Sequence, residues 1–108
     1  MKNIYILNTP ILTDWGKYDF RKIMLPEVKE LFVNNGFISA VGHQATADLL
    51  TRIIGITIPM NRVAISMKKG DIAIVFKLKQ RLPEGVVLGE QELSKLDYEF
   101  GVLIKEED

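Results

Sequence analysis

The chain has 108 residues, 47% of them hydrophobic and 26% charged, which is the composition of one globular domain, too apolar for a disordered tail and too short for two independent cores. Fourteen Lys and Arg balance fourteen Asp and Glu, so no net positive field exists to coat DNA by counterion release. The absence of cysteine excludes disulfides, thiol catalysis and sulfur-ligated zinc or iron, and leaves the fold to stand on its apolar core.

The N-terminal stretch offers only the four apolar residues Ile4 to Leu7 before Asn8, far short of a signal-peptide core or a membrane span, so a soluble, cytoplasmic protein is expected. Those four residues read as a buried strand ended by Asn8-Thr9-Pro10, which places Asn8 at a strand's C-terminal end. After Trp15-Gly16, the mixture of aromatic and charged residues from Tyr18 to Ile23 predicts a half-exposed strand. Pro26 and Glu27 at a first turn, apolar Val28, Leu31 and Phe32, and the stop Asn34-Asn35-Gly36 predict a short amphipathic helix. Phe37 to Val41 reads as a strand. Gly42-His43 then opens the strongest helix of the chain, with Ala45, Leu49, Leu50, Ile53 and Ile54 on one side and Gly55 as terminator.

Alternation at Val63, Ile65 and Met67, the cluster Lys68-Lys69-Gly70-Asp71 and the apolar run from Ile72 to Lys79 predict a hairpin. Leu82-Pro83-Glu84-Gly85 is turn chemistry, Glu90 to Leu96 reads as a short helix, Tyr98 to Ile104 as a last strand, and Lys105 to Asp108 as a solvated acidic tail. The expected architecture is a single α/β (α+β) domain over residues 1–108, a compact mixed sheet flanked by two or three helices.

His43 is the only histidine, so one chain cannot assemble an HExxH or three-histidine metal site, and neither metal nor cofactor is expected. At a helix mouth, unpaired amides and the positive dipole end attract phosphate, Gly42 leaves room for it, and an imidazole can protonate a departing oxygen. A plain helix cap is the competing reading of His43. Arg81 offers a fork of donors for phosphate oxygens, and Glu84 a carboxylate to orient an imidazole, against the simpler reading of a solvated turn. Arg62 either adds a phosphate contact or only begins a strand. Trp15 and Tyr18 either stack on a base or pack against the core edge.

Asn8 after the first strand, Gly42-His43 with Thr46 opening an apolar helix, Asn61-Arg62-Val63, and Gln80-Arg81-Leu82 followed by Glu84-Gly85 together resemble a known family over nearly the whole chain. It is the family of small viral, phage and mobile-element domains whose characterised members are type III anti-CRISPR ring nucleases. The resemblance implies a symmetric homodimer holding its ligand, cyclic tetra-adenylate, across the subunit interface. It implies metal-free cleavage to linear di-adenylate ending in a 2′,3′-cyclic phosphate, which counters type III CRISPR signalling. By the same resemblance His43 corresponds to the general acid, Glu84 to the carboxylate assisting it and Arg81 to the arginine on the reacting phosphate. Asn8, Arg62, Gln80, Gly42 and Thr46 fall at ligand contacts. Gln44 and Ala45 stand where Asp and Ser are usual, and Lys79 where a small polar residue is common.

The chemistry is self-consistent, since a ribose 2′-hydroxyl aligned with its own 3′-phosphate supplies the nucleophile by proximity, and net neutrality suits a local pocket for a small anion. The alternatives are a nucleotide-binding module without turnover and an interaction protein of a virus or mobile element, with no membrane partner and no strong case for DNA.

Overall fold

A continuous apolar run makes a strand when both of its faces are covered, and β1 (Ile4–Leu7) and β4 (Ile72–Leu78) meet that condition, with all of β1 and the first five residues of β4 buried. The computed structural model describes residues 3–8, 14–79 and 96–108. Among them, β1 is followed by β2 (Lys17–Ile23), α1 (Leu25–Asn35), β3 (Ile38–Ser39), α2 (Gln44–Ile54), β4 and β5 (Tyr98–Glu107). The sheet order is β2-β5-β4-β1-β3. β1 runs parallel to both β3 and β4, whereas β5 is antiparallel to β4 and β2, so the expected mixed α+β sheet is what forms.

Alternation along the two central strands sorts the core into two layers. Ile4, Ile6, Ile72, Ile74 and Phe76 face α1 and α2, where Val28, Phe32, Ala47, Leu50 and Ile54 meet them. Tyr5, Leu7, Ala73 and Val75 face the other way, against Met67, Leu103 and the half-buried Ile65 and Tyr18. Helix α1 carries Pro26 and Glu27 in its first turn as expected, and α2 ends at Gly55, whose φ of 80° is a left-handed cap that only glycine adopts without strain. Ala45, assigned to the apolar side of α2, is exposed at its first turn.

Three expectations are corrected. Residues 63–67 do not pair with β4, because β1 and β5 occupy both of its edges; the segment crosses the sheet as an irregular strap instead. The predicted strand from Phe37 to Val41 shrinks to Ile38–Ser39, since only Tyr5 and Ile6 of β1 stand opposite it. The supposed acidic tail is the end of β5, and Lys105 within it is buried. Its ammonium donates to the Met67 carbonyl at 2.8 Å and lies 5.6 Å from the centre of the Tyr18 ring, so it fastens the strap to the sheet.

The turn at Lys68 to Asp71 does form: Asp71 N–H donates to the Lys68 carbonyl. The buried Asp71 carboxylate accepts from the backbone N–H of Asn3 and of Lys68, joining the starts of β1 and β4. The expected turn at 82–85 and residues 90–95 of the expected helix lie outside the described residues. No helix among the described residues is long and apolar enough to cross a membrane.

Candidate functional site

Three parallel strands end on one side of the sheet, and in open sheets ligands gather outside such carboxyl ends. β1 ends at Leu7 and hands over to the half-buried Asn8, β3 leads through Ala40 and Val41 to Gly42-His43, and β4 ends at Leu78 before Lys79. Asn8, His43 and Lys79 therefore belong to one edge of the molecule, with Asn8 at the end of a strand and His43 at the mouth of a helix.

His43 is the N-cap residue of α2, in extended conformation (φ −130°, ψ 128°). Its carbonyl accepts the first helical bond from Ala47 N–H, but its side chain makes no capping hydrogen bond and is exposed. The cap reading of its imidazole is thus not realised. Gln44, Ala45 and Thr46 occupy the first three helical positions, where backbone N–H groups have no intrahelical partner. No acidic residue stands in that turn to offset the positive dipole end. Gln44 donates through its amide to Asp48 at 2.8 Å, one turn along the exposed face. Thr46 is half-buried.

Arg62 begins no strand. Its side chain lies along Gly42, where a β-carbon would stand 3.6 Å from Arg62 Cγ and 3.7 Å from Nε. This brings an exposed guanidinium beside the residue that precedes His43, across a separation of twenty positions in the chain. The connection is held by residues that sequence reasoning passed over as chemistry. Ser39 Oγ donates to the Pro59 carbonyl at 2.6 Å and accepts from Val41 N–H at 3.3 Å. Asn61 donates from its side-chain amide to the Ser39 carbonyl at 2.7 Å and from its backbone to the Val41 carbonyl at 2.8 Å. In the sequence Asn61 stands out only as part of Asn61-Arg62-Val63 in the family resemblance, with no role of its own.

Lys79 is not a loose cation of this edge. Its ammonium reaches Glu99 on β5 at 2.7 Å, and its backbone N–H donates to the Asp97 carbonyl. The hydrogen bond from Lys79 and its positive charge hold the Glu99 carboxyl below its ordinary range, and the same hydrogen bond together with the negative charge of Glu99 raises Lys79 above the ordinary lysine value, with Asp97 adding to the effect. Of the expected site residues, Asn8, Gly42, His43, Thr46 and Arg62 are described, with Arg62 brought against Gly42, the residue before His43; Gln80, Arg81 and Glu84 lie outside the described residues. What is present can hold an anion with amides and a guanidinium and offers an imidazole for proton transfer.

Residues 4–100 match the family described as STIV B116-like. Protein 26 of Sulfolobus islandicus filamentous virus (isolate Iceland/Hveragerdi) is 41% identical to this chain over 100 residues, which cover 88% of this chain and 85% of the viral one. YddF of Bacillus subtilis (strain 168) is 36% identical over 104 residues, covering 94% of this chain and 96% of its own. Among solved structures, B116 of Sulfolobus turreted icosahedral virus superposes with a TM-score of 0.79 at 25% identity, over 94% of this chain and 98% of that one. Similar chains therefore occur in viruses and in a bacterium.

Proposed function

The chain belongs to the STIV B116-like family, and from that premise we propose that it is a metal-independent phosphodiesterase, a ring nuclease that opens cyclic tetra-adenylate. The observation that carries the reading is His43: an exposed imidazole at the mouth of α2, not consumed by capping, directly after Gly42, against which the Arg62 side chain lies. Amides at the start of α2 and the Arg62 guanidinium hold the scissile phosphate, and Gly42 lets it approach. The ribose 2′-oxygen attacks phosphorus as its proton passes to water, the bond to the 5′-oxygen breaks, and the imidazolium of His43 protonates that leaving oxygen. A linear chain ending in a 2′,3′-cyclic phosphate results. Resemblance assigns Arg81 to the charge of the phosphorane and Glu84 to the orientation of His43, with Asn8, Gln80 and Thr46 contacting the nucleotide.

The ring has a symmetry that a homodimer matches, each subunit presenting one His43 to one of two opposite phosphodiesters, so that two cuts release two di-adenylates. Acting in the cytoplasm, such an enzyme destroys the messenger of type III CRISPR systems and so counters the defence. The test incubates purified protein with cyclic tetra-adenylate in excess chelator. The expected product is linear di-adenylate with a cyclic phosphate terminus, and His43→Ala slows its formation on the order of a hundredfold or more. Absent cleavage, or cleavage undiminished by that substitution, overturns the mechanism. The same groups around Arg62 also suit a module that captures the nucleotide without turnover, and tight binding with no product favours it.

A further inference from the structure

β3 is an edge strand, and edge strands leave backbone groups on their outer side without a partner strand. Ala40 N–H points inward, donating to the Ile6 carbonyl at 3.0 Å, so the polar groups of Ser39 and Val41 point outward. Asn61 answers both: its side-chain amide takes the Ser39 carbonyl and its backbone N–H takes the Val41 carbonyl. One residue thus imitates an added strand. It does so directly before Arg62, and on a stretch that leads directly into Gly42-His43.

We propose that Asn61 is the positioning residue of this site: its carboxamide clamps the outer edge of β3 so that His43 and Arg62 are presented to the same phosphate. This rests on the phosphodiesterase reading above for its catalytic consequence, but the clamp itself is a property of the unliganded protein. The Ser39 hydroxyl supports it by tying the Pro59 carbonyl to the same strand. Because the contact is one hydrogen bond at the margin of the core, its loss shifts the relative placement of the two groups without dissolving the sheet. Displacements of about an ångström between a catalytic group and its substrate cost on the order of a hundredfold in rate.

The experiment uses Asn61→Asp, which keeps the size and removes the donor, with Asn61→Ala as a second variant should the first fold poorly. Two readouts are taken. In ligand-free protein, amide hydrogen exchange at Val41 and Asn61, whose N–H groups donate to Ser39 Oγ and to the Val41 carbonyl, is expected to accelerate at least about tenfold while β1 and α2 keep their protection. With cyclic tetra-adenylate, kcat is expected to fall roughly tenfold to a hundredfold, and the same substitution in an Arg62→Ala background to cost less than about threefold more. Unchanged exchange at Val41 and Asn61 overturns the clamp, and losses that multiply independently overturn its action through Arg62. If wild-type protein neither binds nor cleaves the ring while exchange responds as expected, the phosphodiesterase reading fails and the clamp stands.

Discussion

The Arg62 side chain runs along the backbone of Gly42, close enough that a β-carbon on the glycine would touch it at 3.6 Å without overlapping it. That distance is ordinary van der Waals contact, and Gly42 is not among the glycines with positive φ. Gly42→Ala should therefore fold normally, with a thermal midpoint within roughly 4 °C of wild type. If Arg62 beside Gly42 holds the phosphate, affinity for cyclic tetra-adenylate should nonetheless drop about tenfold, because the methyl group lies against the Arg62 side chain and displaces its guanidinium from the anion. Equal affinity would remove Gly42 from the ligand site.

Gly101 on β5 has the opposite character. The Phe20 ring from the edge strand β2 lies on it, and a β-carbon there would overlap Cε1 and stand 2.7 Å from Cζ. Phe20 is 46% exposed, so the ring can swing outward, but only by uncovering the sheet. Gly101→Ala is expected to destabilise by about 1–3 kcal/mol in urea unfolding. In a Phe20→Ala background the same change should cost clearly less, and strict additivity would show that the ring is not what the new methyl meets.

Lys105 links the strap to the sheet through one buried hydrogen bond, to the Met67 carbonyl, with Asp108 3.5 Å away on the solvent side. Lys105→Met retains most of the volume and leaves the carbonyl without that donor. The expected cost is roughly 1–3 kcal/mol. Because Lys68 and Lys69 follow Met67 and are exposed, trypsin should also cut there faster in the variant. Proteolysis at an unaltered rate would mean that the apolar contacts of Ile65 and Met67 alone secure the strap.

The Lys79 and Glu99 pair sets a pH dependence at the end of β4. A carboxyl whose folded pKa is lowered stabilises above its unfolded pKa, and that contribution disappears as pH falls through the folded value. An ammonium whose folded pKa is raised stabilises below its unfolded pKa and loses the contribution as pH rises through the folded value. The pair therefore acts across the neutral range and fails at both extremes. Urea midpoints of wild type and Lys79→Gln should differ most near neutrality, converge in acid and shrink with added salt. A gap that persists unchanged into strong acid would place the effect of Lys79 elsewhere than on Glu99.

Much of this protein was written locally. The boundaries of β1, α1 and α2 follow from apolar runs bracketed by Asn8, Gly36 and Gly55, because turn residues and hydrophobic period act over a few neighbours. For the same reason His43 could be placed at a helix mouth from Gly42-His43 and the apolar positions after it. What neighbours cannot encode is which edge of a strand is already taken. Residues 63–67 alternate like a hairpin arm, yet β4 is flanked by β1 and β5, and the pattern instead buries Met67 and half-buries Ile65 beneath the sheet. Lys105 reads as part of a charged tail until Met67 and Tyr18, far away in the chain, surround it. The meeting of Arg62 with Gly42, and the clamp of Asn61 on Ser39, likewise exist only once β3 has become an edge whose outer carbonyls need donors. Short-range pattern determined the elements and the seat of the imidazole; competition among strands for partners decided what stands beside it.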